Sequence, residues 1–165
     1  MVLRSLQKSM FPIEPARSAL LSELWEEQLL KKYIPRETLH ALAIRHNLSE
    51  IEVEGVASFY HFFHGQPAGK HTIYLNNSII SEIRGYDRIK EAFERETGAH
   101  LNSVDPGGTF GLFETPCIGL SDQEPACLID FFPFTNLNAL KVKAIIQKLK
   151  QGNNTNHINK MIIFI

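Results

Sequence analysis

Cysteine is almost missing from this chain. Its 165 residues hold only Cys117 and Cys127. That excludes a disulfide scaffold and makes a reducing, cytoplasmic setting the expectation. An excess of charge of either sign is missing too. Lys and Arg number 17 against 18 Asp and Glu, for a formal net charge of -1, and no basic cluster stands out. A nucleic-acid surface is therefore not expected. No apolar run approaches the roughly 20 residues that a membrane-spanning helix needs, and Met161 to Ile165 is far too short. Met1 to Ile13 mixes charged and apolar residues without a continuous apolar stretch, so no secretory leader is expected. No internal repeat is visible. Apolar residues make up 44% and charged residues 21%, the composition of a soluble globular protein with one core, or one core and a helical annex.

Residues 1 to about 17 carry Pro12 and Pro15 without a clear period and read as a loose arm. From Ser18, Leu20, Leu21, Leu24, Trp25 and Leu29 recur at helical spacing. Pro35 suits the first turn of a second helix, striped by Leu39, Leu42, Ala43 and His46, with Asn47 as its stop. Ser49-Glu50-Ile51-Glu52 is a capping box opening a third helix. Ala57 to Phe63 is dense in aromatics and reads as packing of these helices, with a partner groove as the other reading. After a turn at Gly65 to Gly69 the pattern changes. Thr72 to Leu75 reads as a strand, Asn76 to Gly85 as a loop, and Asp87 to Thr97 as a helix stopped at Gly98. Asn136 to Lys150 is a last helix with Leu137, Leu140, Ile145, Ile146 and Leu149 on its stripe. Gly152 to Asn159 reads as a structureless polar tail. The division expected is 1–64 for the arm and helical bundle, 65–152 for an α/β domain, and 153–165 for the tail or linker.

Gly111 to Asp130 reads as strand, structured loop and strand, with Cys117 at the apex. No Cys-x-x-Cys and no resolving cysteine accompany Cys117, so it reads as a structural thiol rather than a reactive one. Spacing leaves a Cys117–Cys127 disulfide open, and the compartment argues against it. Cys127 lies in a short apolar run where a small buried hydrophobe belongs. His61-x-x-His64 lacks a third metal ligand, and its aromatic neighbours point to packing or an interface. Asp122 and Glu124 read as a solvated turn. Asp105-Pro106-Gly107-Gly108-Thr109 lacks the spacing that cradles phosphates.

In combination, Tyr33-Ile34-Pro35, Val56 to Tyr60, Pro67 to His71 and the loops after the strands resemble the thioredoxin-like [2Fe–2S] subunit family of the NADH-dehydrogenase module of respiratory complex I. Within it, Ala57 to Phe63, Phe110 to Phe113 and Thr115 to Ala126 look most like the N-terminal domain of the diaphorase alpha subunit of NAD-reducing [NiFe] hydrogenases. The resemblance implies an α/β (α+β) fold, an N-terminal helical bundle followed by a thioredoxin-like ferredoxin domain. It also implies cluster ligands at Cys-x4-Cys in the first loop and Cys-x3-Cys in the second. Those positions are Asn76, Ser81, Cys117 and Ser121, and only Cys117 is a cysteine.

A [2Fe–2S] centre takes four thiolates, or an imidazole pair in the Rieske case. The expectation is therefore a cluster-less, non-catalytic accessory domain with no metal of its own. By resemblance it docks to the FMN- and NAD-binding diaphorase domain of a hydrogenase complex, through Asn76 to Gly85 and Cys117 to Pro125. The alternative is a [2Fe–2S] electron-transfer subunit of an NADH dehydrogenase, hydrogenase or formate dehydrogenase complex. His61, His64 or His71 would then stand in as ligands, or Cys117 would share a cluster across a dimer.

Overall fold

The computed structural model describes residues 15–162, with side chains described from residue 19 to residue 161. Of the arm expected over residues 1 to about 17, residues 1–14 lie outside that range, as do the last apolar residues, 163–165, while residues 15–17 already belong to the first helix. The chain forms two compact units, 1–67 and 68–165.

The first unit holds helices α1 (Pro15–Lys31), α2 (Arg36–His46) and α3 (Glu50–Phe59). Leu20, Leu24, Ile34, Leu42, Ala43 and Val53 form its core, with Phe63 packed against them. Pro35 sits one position earlier than expected, immediately before α2, where its φ of -63° pre-sets the entry. Asn47 ends α2 in the left-handed conformation, at φ 53°. The capping box is present. The Ser49 N–H donates to Glu52 Oε2 at 2.9 Å, and the Glu52 N–H donates to Ser49 Oγ at 3.3 Å. Gln28 is buried, and its side-chain oxygen accepts the His64 N–H at 2.9 Å. The aromatic run divides. Phe63 meets Trp25 at a centroid distance of 5.7 Å, whereas Phe59 is 81% exposed, its ring edge-on to neighbouring Tyr60 at 5.2 Å.

The second unit is a mixed sheet with helices. In chain order it runs β1 (His71–Asn76), α4 (Ile79–Ile83), α5 (Tyr86–Thr97), β2 (Ser103–Val104), β3 (Phe110–Thr115), β4 (Cys127–Ile129), β5 (Phe132–Phe134), α6 (Ala139–Lys150) and α7 (Thr155–Ile162). The sheet order is β2-β3-β1-β4-β5. Central β1 pairs parallel with β3 and antiparallel with β4, and all its residues are buried. A strand buried on both faces reads as a short apolar run without alternation. Ile73 and Leu75 point into the core with Phe93, Leu112, Ile145 and Ile146. Tyr74, on the opposite face, lies against Phe113 and Phe131. Gly111 is required by close approach: a Cβ there would stand 2.1 Å from the Ala68 carbonyl oxygen.

Several expectations are corrected. The 76–85 loop contains the short helix α4, capped by Ser78 Oγ, which accepts the Ser81 N–H at 3.3 Å. The last long helix starts at Ala139 behind an Asn138 cap. Its Leu140 is 80% exposed, and Val142 takes the core position instead. The supposed tail forms α7, with Ile158 fully buried and Thr155 buried beside it.

Candidate functional site

The two loops singled out by the sequence flank β1 on the sheet. Asn76 is the last residue of β1. Its N–H donates to the Ala126 carbonyl at 3.2 Å, and the Asn77 N–H donates to the Thr115 carbonyl at 3.1 Å. The first loop therefore leaves the sheet between the strand ends that carry the second.

Asn76 and Ser81 are fully buried, and so is Glu124, at 2% exposure. Asn76 Nδ2 donates to Glu124 Oε1. Ser81 Oγ donates to Glu124 Oε2 at 3.0 Å, and the Ala126 N–H donates to the same oxygen at 2.7 Å. Asn76 Oδ1 accepts the Ser78 N–H at 3.2 Å, which fixes the amide's direction. Burial pushes the Glu124 carboxyl above the usual carboxylate range. The bonds from Ser81 and Ala126 and the charge of Arg84 pull it part of the way back. Arg84 also donates to the Asp122 carbonyl, at 3.4 Å.

Cys117 and Ser121 form a separate, exposed pair. Cys117 Sγ lies 3.6 Å from Ser121 Oγ and accepts the Gly119 N–H at 3.4 Å. The predicted positions thus fall into a buried pair bound to Glu124 and a surface pair on the second loop. Cys127 is fully buried in β4, and burial followed by the Glu124 charge pushes its thiol well up, so it stays protonated. Both cysteines are free.

The histidines weighed as substitute ligands lie elsewhere. His71 opens β1, about 16 Å from its far end at the usual strand rise, and its Nδ1 bonds Asp130 Oδ2 at 2.7 Å. His61 and His64 belong to the first unit. Burial, and then the neighbouring His61, lower the His64 pKa to about 4, so it is neutral. Among the described residues, no group of three or more His, Cys, Asp or Glu side chains is placed to hold a metal ion.

Glu124 was misread from sequence as part of a solvated turn. Asp122 is exposed as expected, but Glu124 points inward to two side chains more than forty positions away. The available signal was indirect. Neutral polar residues at Asn76 and Ser81 leave buried donors that need an acceptor.

The family model for thioredoxin-like [2Fe-2S] ferredoxins matches residues 6–150. The chain belongs to that family. Its relatives include the alpha subunit of the NAD-reducing hydrogenase HoxS of Cupriavidus necator. That protein is 51% identical over 136 residues, 82% of this chain and 23% of the hydrogenase subunit. A subunit of the NADH-quinone oxidoreductase of Escherichia coli is 28% identical over 146 residues, covering 88% of each chain. Among solved structures, the NAD+-reducing [NiFe]-hydrogenase in its air-oxidized state superposes with a TM-score of 0.73 at 25% identity. The match covers 83% of this chain and 24% of that one. The chain thus spans about a quarter of the hydrogenase proteins it matches.

The residues present do not fit the cluster in the family's name. Two of the positions carry an amide and a hydroxyl already bonded to Glu124. A third carries an exposed hydroxyl, which stays protonated near neutral pH and is a poor iron ligand beside thiolate. Cys117 alone supplies the right chemistry.

Proposed function

We propose that this chain is an accessory, cluster-less domain of the NADH-oxidising diaphorase part of an NAD-reducing hydrogenase. It docks, without catalysis of its own, to the FMN- and NAD-binding domain or subunit of that complex in the cytoplasm. The observation that carries the reading is the bonding of Asn76 and Ser81 to Glu124. It occurs in a chain 51% identical to the HoxS alpha subunit. The docking surface is the pair of former cluster loops, 76–85 and 117–125. Support comes from α4, where Ile79 and Ile83 are 75% and 77% exposed. Outward isoleucines beside a shaped loop favour a protein partner.

The family itself favours a second reading, a [2Fe–2S] electron-transfer subunit of a related NADH dehydrogenase, hydrogenase or formate dehydrogenase complex. One measurement separates the two: iron and acid-labile sulfide, with a visible spectrum, on the chain purified without oxygen. The accessory reading expects neither element and no visible band. About two irons and two sulfides per chain would overturn it, and about one of each would point to a cluster shared between copies.

A further inference from the structure

Between Asn76 and Tyr86 the only buried residue is Ser81, and between Thr115 and Ala126 the only buried residue is Glu124. Neither loop has a buried apolar anchor. Ile79 and Ile83 of α4 face outward, and Pro116 and Cys117 are exposed. Yet the two buried side chains meet, Ser81 Oγ to Glu124 Oε2 at 3.0 Å, with Asn76 donating to the other carboxylate oxygen. We infer that Glu124 is the tie that holds the two loops together where a metal centre would otherwise join them.

The inference rests on the cluster-less reading. A cluster liganded from both loops would cross-link them by metal–sulfur bonds. Here one carboxylate does so with three donors: an amide and a hydroxyl from the first loop's side, and the Ala126 N–H two residues along its own segment. A buried carboxyl persists only when such donors satisfy it, so the loops and the carboxylate hold one another. The docking face keeps its shape with no metal, and Glu124 is its one buried tie, beside the exposed contact of Arg84 with the Asp122 carbonyl. Glu124 is a positioning residue: it acts through Asn76 and Ser81 on backbone that faces outward.

The test is amide hydrogen exchange on the full chain, comparing wild type, Glu124→Ala, Glu124→Gln, and Glu124→Gln combined with Asn76→Asp. Glu124→Ala should raise exchange in both 77–85 and 116–125 by roughly tenfold or more, with the β1 and β3 amides little changed. Glu124→Gln should be intermediate, because its new amide faces the Asn76 amide donor to donor. Adding Asn76→Asp supplies an acceptor for that amide and should restore protection, a rescue that general destabilisation would not produce. If Glu124→Ala leaves 77–85 unchanged, or loosens loops and sheet equally, the tie does not exist. Failure of Asn76→Asp to rescue Glu124→Gln overturns it as well, even if Glu124→Ala fails to fold. Iron and sulfide on the wild-type chain are read separately, so a bound cluster would sink the functional reading and be told apart from a failed tie.

Discussion

Asp130 is a second polar hub, outside the loops. Its carboxylate accepts His71 Nδ1 at 2.7 Å, Thr155 Oγ1 at 2.7 Å and the Thr72 N–H at 3.1 Å. Burial pushes its carboxyl up, but the bonds from His71, Thr155 and Thr72 and the His71 charge outweigh that. The net result lies below the usual carboxylate range. A carboxyl depressed in the folded state contributes stability that is fully present above its unfolded value of about 3.9. That stability is lost as pH falls through the lower folded value. Asp130→Asn should cost about 1–3 kcal/mol near neutral pH. In acid titrations followed by thermal unfolding, the gap between variant and wild type should close below about pH 4. A gap that persists at lower pH would contradict this. Neither Asp130 nor Glu124 was legible as a hub from sequence. Glu124 lies in a short polar stretch that locally reads as a turn, Asp130 is a lone carboxyl in an apolar run, and the side-chain partners of both lie on other elements.

At the scale of the element, periodicity carried the long pieces and missed the short ones. α5 and α6 have enough turns to repeat an apolar stripe, with Ile89, Ala92, Phe93 and Ile145, Ile146, Leu149 buried. The five-residue α4, two-residue β2 and three-residue β5 are too short to repeat anything. β5 exists because Asp130 and Phe131, at φ 49° and 68°, turn the chain back onto β4. Close packing beside the β1 and β3 ends joins segments that are distant in the chain, Ala68 and Gly111. In Gly111→Ala a Cβ would sit 2.1 Å from the Ala68 carbonyl. The backbone must then shift, at a cost of about 1–3 kcal/mol. For a chain of this size that is a fall of several degrees in Tm, at about 2–4 °C per kcal/mol. An unchanged Tm would mean that the Ala68 segment yields freely.

At the scale of the whole molecule, α7 shows how a polar segment is recruited. Ile158 is fully buried, Thr155 bonds Asp130, and Asn159 Nδ2 donates to the Pro133 carbonyl of β5. It thus covers β5, the edge strand next to β4. Cutting the chain after Gly152 should lower the thermal stability of the 68–165 unit. Exposing Ile158's site alone costs about 1.5–3 kcal/mol, and the loss should appear in calorimetry of the truncated chain. If 155–162 were only a linker, the truncated chain would melt like the intact one.

The amino-acid sequence by itself determined the helical first unit, the buried strand at residues 72–75, the long helices of the second unit and the family. It also determined which donors stand in the two loops, because composition, short periods and motif spacing are local properties. The tertiary structure alone decided that Glu124 faces inward to Asn76 and Ser81, that Asp130 joins β1 to α7, and that Phe59, Ile79 and Ile83 stay outside. Those outcomes depend on which distant segments the sheet brings together, since a polar side chain is buried only where the fold supplies partners for its hydrogen bonds.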